Sequence, residues 1–355
     1  GPFITLPMVL GMMNGPYFLY AWIAGAFLSI VDGMVWSELG AAFPRAGGSY
    51  NFLKEAYGKT GAGKMMSFLF VWQTMIQAPL VIASAAIGFA KYFSFLVPIN
   101  NFTEKLVSGS VVILIVILLY RKIDAIGKIS IFLWSGVIIT MFWIIGGGIV
   151  HGNFLAPIRN INSGLSIDYA FVTAIGFASV KSVYSYLGYY NVCHLGSEIK
   201  NPSKNIPRSM FISIVGIAFL YFFMNVSVVS VIPWQQAKSS EFVISEFMET
   251  LLGHNAAIIV TCLILWVAFA SVFSATLGYS RIPYAAAEDG EFFKVFAKLH
   301  PTKNFPYVSL LFLGSMAFIF SMFLKLSEVI SAILAMRIMI QFVGQAVGLL
   351  ILRSK

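Results

Sequence analysis

Charged side chains are scarce in this sequence. Lys, Arg, Asp and Glu together make up 10% of its 355 residues, while 59% of the residues are hydrophobic. A soluble globular domain carries roughly 25% charged residues, and the mean hydropathy here is +0.86. The shortage of charge therefore excludes an ordinary soluble domain and indicates a chain that is folded in lipid.

Cysteine and catalytic signatures are scarce as well. The two cysteines, Cys193 and Cys262, both lie in apolar segments, which excludes a disulfide framework. The four histidines are scattered along the chain, and neither an H-E-x-x-H nor a G-x-S-x-G pattern occurs. These absences argue against an enzyme and against a bound metal or organic cofactor.

Long apolar runs, in contrast, are abundant. A helix needs about 20 apolar residues to cross a hydrocarbon core of about 30 Å, and continuous rather than alternating runs exclude a membrane β-barrel. The runs therefore predict an all-α polytopic membrane protein. The first run, at about 1.5 Å per residue, is too short to cross, so we expect the chain to start inside a helix whose first half is missing. The ten runs cover residues 1–14, 16–42, 65–90, 106–120, 129–150, 168–195, 209–232, 256–280, 306–324 and 327–352.

Positive charge is distributed unevenly among the loops. The formal net charge is +9; sixteen of the 23 Lys and Arg residues fall in alternate loops, and five fall in the opposite loops or at their edges. Because cytoplasmic loops are enriched in Lys and Arg, this bias places the larger set in the cytoplasm and argues against a nucleic-acid partner. The larger set is Arg45, Lys54, Lys59, Lys64, Arg121, Lys122, Lys128, Lys200, Lys204, Arg208, Arg281, Lys294, Lys298, Lys303, Arg353 and Lys355.

Helix-breaking residues interrupt two of the spans. Residues 1–3 (Gly-Pro-Phe) open the first span, and residues 185–191 (Ser-Tyr-Leu-Gly-Tyr-Tyr-Asn) interrupt the sixth. Paired broken helices in corresponding halves are typical of transporter binding sites, since an unwound turn frees backbone N–H groups for a carboxylate and carbonyls for an ammonium. Taken singly, Gly188 is also explained by close helix packing, and Tyr189 and Tyr190 by an interfacial aromatic belt.

Four segments of the chain carry a family resemblance and together cover nearly all of it. They are Gly-Pro-Phe-Ile-Thr-Leu-Pro at 1–7; Trp-Ser-Glu-Leu-Gly-Ala-Ala-Phe-Pro-Arg-Ala-Gly-Gly-Ser-Tyr at 36–50; Gly-Tyr-Tyr-Asn at 188–191 with Asn-Pro at 201–202 and Asn-Ile-Pro at 205–207; and Ser-Arg-Ile-Pro-Tyr at 280–284 with Glu-Asp-Gly at 288–290. In this combination the chain resembles amino acid permeases of the amino acid–polyamine–organocation superfamily, near its L-type amino acid transporter branch.

The resemblance implies a LeuT-like fold of two inverted five-helix repeats with broken helices 1 and 6. Residues 1–150 would form the first repeat, with helix 1 incomplete at its start. Residues 168–353 would form the second, and the family's helices 11 and 12 would be absent. Either Tyr184 or Tyr186 would cover the substrate as a gate. Carried over by position, the substrate-binding residues are Gly1, Pro2, Phe3, Tyr184, Ser185, Tyr186, Leu187 and Gly188.

Three charged side chains lie well inside apolar spans, away from the span ends, where ionisable residues are costly and by default functional. They are Asp32 in the second span, Lys181 in the sixth and Arg337 in the tenth. Structural pairing is one explanation: Asp32 and Lys181 would neutralise each other, and Arg337 would bind backbone carbonyls. Coupling is the other. Many sodium-independent relatives carry a lysine in helix 5, whereas residues 129–150 contain none, so Lys181 with Asp32 is the candidate coupling pair.

These features favour a secondary active transporter that moves amino acids across the plasma membrane by alternating access, through proton coupling or exchange. Its expected partners are an amino acid substrate, the lipid bilayer and protons. Two alternatives stay open, namely a transporter of polyamines or other organic cations and a truncated homologue that does not transport. A channel would need rings of like charge or a repeated filter sequence, which the sequence lacks.

Overall fold

A computed structural model describes residues 1–58, 61–121 and 123–354 of the chain. Within these ranges the regular structure is helical, with one isolated antiparallel bridge between Ala46 and Leu195 and no β-strand. Three cations of the predicted cytoplasmic set, Lys59, Lys122 and Lys355, lie outside the described residues.

The helices follow one another with short connections. Those before residue 160 are α1 Pro2–Met13, α2 Leu19–Ala42, α3 Ser49–Ala56, α4 Ala62–Leu96, α5 Asn101–Leu119, α6 Ile123–His151 and α7 Ala156–Arg159. Those after it are α8 Tyr169–Tyr186, α9 Asn191–His194, α10 Pro202–Val229, α11 Trp234–Ala237, α12 Val243–Leu252, α13 His254–Tyr279, α14 Arg281–Glu288, α15 Tyr307–Phe323, α16 Leu326–Arg337 and α17 Gln345–Arg353. A π-helix, Ile338–Gly344, joins α16 to α17.

Seven helices of the described ranges are long and apolar enough to cross a membrane, and each coincides with a predicted span. The other three predicted spans coincide with α1, α8 and α15, which have 12, 18 and 17 residues. The prediction of an all-helical multi-pass membrane protein is therefore confirmed. The seven segments are Pro16–Ala42, Ala62–Leu96, Asn101–Leu119, Ile126–His151, Pro202–Val229, His254–Glu288 and Leu326–Arg353.

Capping residues account for several helix ends. The Asp168 side chain accepts a hydrogen bond from Phe171 N at 2.8 Å and starts α8, as expected for an N-cap aspartate. The helix α10, which corresponds to the seventh predicted span, begins at Pro202, before the predicted start of that span at residue 209. Proline is favoured in a first helical turn, where its missing N–H has no partner to lose, so the polar residues before 209 also join the helix.

The buried apolar side chains form two main clusters, and the sixth predicted span passes from one to the other. The larger cluster includes Trp36 and Phe52, close to the predicted cytoplasmic loops. The second includes Trp22 at the other end of α2. Tyr186 belongs to the second cluster and Tyr189 to the larger one, so the short segment between these two tyrosines lies at the junction of the two cores.

The helices α1 and α8 pack against each other and run in opposite directions. Thr5, near the start of α1, contacts Ser185, near the end of α8, with hydroxyl oxygens 2.6 Å apart. Tyr17, just beyond the end of α1, contacts Phe171 at the start of α8, with ring centroids 5.7 Å apart. This pairing places the start of α1 beside the end of α8, where the sequence predicted the second break.

Candidate functional site

The sixth predicted span is broken between Tyr186 and Asn191. After α8 ends at Tyr186, Leu187 has φ −58° and ψ 144°, and Gly188 has φ +127°. Glycine alone adopts such a positive φ without strain, so Gly188 prevents the helix from continuing. The chain becomes helical again at Asn191 in α9. Asn191 N donates to the Gly188 carbonyl at 3.0 Å, and the last carbonyls of α8 have no N–H groups of a continuing helix to accept from.

The start of α1 lies beside this break. Thr5 Oγ1 and Ser185 Oγ are buried and 2.6 Å apart. Pro2 and Phe3 are buried, and Gly1, which precedes the helix, is exposed. The structure thus brings the predicted substrate-binding residues of helix 1 close to Ser185, which belongs to the set predicted on helix 6.

The two gate candidates face different neighbours. The Tyr184 hydroxyl donates to Ser84 Oγ on α4 at 2.8 Å. The Tyr186 hydroxyl donates to the Trp22 carbonyl on α2 at 3.3 Å, and its ring lies 5.4 Å from that of Tyr221 on α10. Tyr186 is therefore held in the core between α2 and α10, whereas Tyr184 is only partly buried. Tyr184 is thus the less buried of the two gate candidates.

Open space adjoins the unwound turn. A Cβ added at Gly188 would meet no atom within 4 Å, and Leu187 and Gly188 are both half-buried. Two cavities lie elsewhere: one of about 560 Å³ between α5 and α15, and one of about 530 Å³ between α1 and α8. Neither cavity is lined by a predicted substrate-binding residue.

The two predicted coupling residues have different surroundings. Asp32 Oδ2 accepts a hydrogen bond at 2.5 Å from the hydroxyl of Tyr189, which lies within the break. Lys181 is half-buried and makes no hydrogen bond or ion pair within the part of the chain that the structure describes. The structure therefore does not pair Asp32 with Lys181, and Asp32 is the member that contacts the broken segment.

Arg337, at the end of α16, is the buried cation beside the break. Its side chain is fully buried, its guanidinium carbon lies 4.4 Å from the Tyr190 ring centroid, and it donates to the Tyr279 hydroxyl. The Gln77 amide on α4 also accepts from Arg337 Nε once its oxygen is oriented toward the guanidinium. The partners of Arg337 are thus side chains on α4, α13 and the broken segment, rather than the backbone carbonyls that the sequence suggested.

Several buried polar atoms around Arg337 are left without partners. Arg337 Nη1, both ring nitrogens of His194 and Asn191 Oδ1 make no hydrogen bond among the described residues. The His194 ring lies 5.6 Å from the Tyr279 ring and 5.8 Å from the Tyr190 ring, the two aromatic neighbours of Arg337. Buried polar groups are normally hydrogen-bonded, so these donors and acceptors are available to a polar ligand or to water.

Sequence reasoning missed most of this polar cluster. Gln77 on α4, Tyr190 after α8 and Tyr279 at the end of α13 come from separate parts of the chain, and only the fold brings them to Arg337. The one signal in the sequence was the arginine itself, because a lone guanidinium inside an apolar run needs buried partners. That signal indicates a buried polar site, but it does not show which other residues belong to the site.

A second polar cluster, the cytoplasmic clasp, consists of Tyr50, Lys54 and Asp289. Lys54 Nζ lies 2.6 Å from Asp289 Oδ2, and the Tyr50 hydroxyl donates to the same oxygen at 3.0 Å. Burial, and after it the charge of Asp289, raises the pKa of Tyr50 well above its usual range, so this phenol stays a donor. The clasp joins α3 to the end of α14 on the predicted cytoplasmic side.

Backbone contacts connect the segment before α3 to the broken helix. Gly47 N donates to the His194 carbonyl at 3.1 Å, and Ala46 forms the isolated bridge with Leu195. Nearby, Arg281 Nε donates to Glu198 Oε1 at 3.0 Å. The short helix α9 is therefore attached to the segment that leads into α3, the helix that carries Tyr50 and Lys54 of the clasp.

Comparison with known proteins gives the family. The amino acid permease family matches residues 2–355. The human cystine/glutamate transporter is 24% identical over 95% of this chain and 67% of its own length. The mouse Asc-type amino acid transporter 1 is 25% identical over 82% of this chain and 56% of its own length. The serine/threonine exchanger SteT of Bacillus subtilis is 25% identical over 88% and 70%.

The chain spans between 56% and 70% of the length of these three relatives. The family match extends over all the helices described above. The candidate spans are those of a protein that crosses the cell membrane several times. The chain therefore belongs to the amino acid permease family of integral membrane transport proteins.

Proposed function

We propose that this protein is a secondary active transporter of amino acids and that it binds its substrate at the break between α8 and α9. The observation that carries the proposal is the contact of the start of α1 with this break, through Thr5 and Ser185. In the proposed architecture residues 1–150 and 168–353 form the two inverted repeats of a LeuT-like fold. The opposite directions of α1 and α8 support it, since inverted repeats place their first helices antiparallel.

Substrate recognition follows from the chemistry of unwound helices. Free N–H groups at a helix start attract a carboxylate, and free carbonyls accept from an ammonium. In our proposal residues 1–3 and 185–188 bind the α-carboxylate and α-ammonium of the substrate, and Tyr184 covers it. Arg337 adds positive charge beside this region, with Nη1 free to meet a carboxylate.

In our proposal the protein recognises amino acids as a class and does not select for one particular side chain. The relatives are named for cystine and glutamate, for Asc-type amino acids and for serine and threonine. Such substrates share only the zwitterionic backbone moiety, which the break is suited to hold. The buried guanidinium of Arg337 disfavours the alternative of a polyamine or another organic cation, because like charges repel strongly in a site of low dielectric.

Two experiments test the proposal with the purified chain. Amino acids should raise its thermal unfolding midpoint, whereas spermidine should not, and proteoliposomes preloaded with the responding amino acid should take up labelled substrate by exchange. Ser185→Ala should weaken the binding, while Ser110→Ala, on the exposed face of α5, should leave it unchanged. Binding without uptake would favour the non-transporting homologue, and stabilisation by spermidine alone would favour the organic-cation transporter.

The coupling residues are tested separately. We propose proton coupling or exchange with Lys181 and Asp32 as participants, because Lys181 has no partner in the described ranges and Asp32 contacts Tyr189 within the break. Lys181→Met should abolish accumulation driven by a pH gradient, with exchange at zero gradient retained. Lys105→Met, an exposed lysine on α5, is the control. If Lys181→Met accumulates substrate like the parent, its charge has no part in coupling.

A further inference from the structure

A cavity of about 560 Å³ opens between the end of α5 and the beginning of α15, away from the proposed substrate site. It lies at the predicted cytoplasmic end of both helices, where two separate loops supply cations to the same space. Its lining residues are Val116, Ile117, Tyr120, Arg121, Lys303 and Leu311.

Lys303 is held in place at this cavity, and neither of the cavity's two cations is paired with a carboxylate among the residues that the structure describes. Lys303 Nζ donates to the Tyr120 carbonyl at 2.8 Å and lies 4.7 Å from the centroid of the Tyr120 ring. That leaves two of its three ammonium protons for another acceptor. Arg121 is exposed and makes no ion pair with any residue that the structure describes. Among the described residues, those that line the cavity include no carboxylate.

Part of the cavity wall consists of exposed aliphatic side chains. Ile117 is 59% exposed and Leu311 42% exposed, on two helices that pack against each other. A guanidinium and an ammonium at the predicted cytoplasmic end of these helices match the anionic headgroup of a phospholipid. The exposed aliphatic side chains next to them match its acyl chains.

We propose that this groove is a binding site for an anionic phospholipid of the cytoplasmic leaflet. Arg121 and Lys303 hold the phosphate and the negatively charged headgroup, and the acyl chain lies along Ile117 and Leu311. Basic pockets between membrane helices on the cytoplasmic side recognise anionic headgroups, with about 1 kcal/mol per cation. A zwitterionic lipid gains less, because its headgroup brings its own positive charge into a site that already has two.

Lipid retention measured by native mass spectrometry tests the site in the intact chain. The protein is purified in detergent with equal amounts of phosphatidylglycerol and phosphatidylcholine. We expect the parent to retain phosphatidylglycerol preferentially. Arg121→Gln should lower this preference about fivefold, and the double variant with Lys303→Gln about 25-fold, as follows from about 1 kcal/mol per cation. Lys303→Arg, which keeps the charge, should retain the preference.

The control is Lys204→Gln, which removes an exposed cytoplasmic cation outside the groove and should leave the preference unchanged. Equal retention of the two lipids by the parent, or an equal loss in Lys204→Gln and Arg121→Gln, would overturn the proposal. Glycerol phosphate serves as a competitor without acyl chains. Displacement of phosphatidylglycerol by glycerol phosphate at equal concentration would show a site for soluble phosphates instead of lipid.

Discussion

At the scale of single residues, Gly188 determines where the sixth predicted span ends. Its φ of +127° lies in a region that side chains rarely adopt, while the space around its Cα is open. The constraint on this position therefore comes from the backbone and not from crowding. A substitution here tests the shape of the unwound turn without filling it.

Gly188→Ala should lower the stability of the protein by roughly 1–3 kcal/mol, the range for a residue held in a sparsely populated conformation, or else force the turn to rearrange and weaken substrate binding. Thermal unfolding and substrate titration measure the two effects. Gly176→Ala is the matched control: it lies within α8, where an added Cβ also meets no atom within 4 Å. Alanine favours the helix there by about 1 kcal/mol, so this variant should be as stable as the parent or more so. Similar losses in both variants would contradict the backbone explanation.

The sequence predicted some residues of the site better than others. The break at Gly188 was predictable because glycine next to aromatic and polar residues in an apolar run is a local signal. The contact of Tyr189 with Asp32 was not, since these residues are 157 positions apart and their proximity depends on how α2 packs against the broken span. For the same reason Arg337 was predicted to bind carbonyls, although its partners are side chains on other helices.

At the scale of helices, the contact between α1 and α8 includes one buried pair of hydroxyl groups. Thr5 and Ser185 are 2.6 Å apart. The fold also offers a second buried pair of the same chemistry far from the break, Ser245 with Thr261 at 2.7 Å between α12 and α13. The two pairs separate what a hydrogen bond contributes to folding from what it contributes to the site.

A double-mutant cycle with Thr5→Val and Ser185→Ala should give a coupling energy of about 0.5–1.5 kcal/mol in thermal or denaturant unfolding, typical of a neutral hydrogen bond. The cycle with Thr261→Val and Ser245→Ala should give a similar value. Of these variants, only Thr5→Val and Ser185→Ala should also weaken amino acid binding, because only that pair of residues joins the two helices of the proposed site. Equal effects of both cycles on binding would show that Thr5 and Ser185 serve stability alone.

Helix positions were largely predictable, and their lengths less so. Lipid imposes a length and a polarity on each crossing, so apolar runs in the sequence locate the helices. The polar residues that extend α10 back to Pro202 give no such signal. Neither does the π-helix of residues 338–344, which interrupts the last predicted span within an otherwise apolar run.

At the scale of the whole molecule, the cytoplasmic clasp should decide how readily the inner side opens. Asp289→Asn removes the negative charge that both Lys54 and Tyr50 contact. Cys193 in α9 is buried, so its labelling reports opening of this side. In a Cys262→Ser background, a soluble maleimide should label Cys193 of Asp289→Asn about fivefold faster than the parent, as expected for loss of about 1 kcal/mol from a partly buried ion pair.

The control for this experiment is an ion pair on the predicted outer side. Lys91 and Glu241 are 3.7 Å apart, and Glu241→Gln removes one charge as Asp289→Asn does. This variant should label at the rate of the parent. Faster labelling in both variants would indicate a general loss of stability, and an unchanged rate in Asp289→Asn would show that the clasp does not hold the inner side closed.

The bridge between Ala46 and Leu195 has a mechanical consequence. With the bond from Gly47 N to the His194 carbonyl, it ties a helix of only four residues to the cytoplasmic loop ahead of α3. Such a short helix has few degrees of freedom of its own. If α9 tilts, we expect the loop and α3 to move with it. Through Asp289, the end of α14 should move as well. Motion at the broken span would then be cooperative, and its amplitude would be set by the stiffness of the loop.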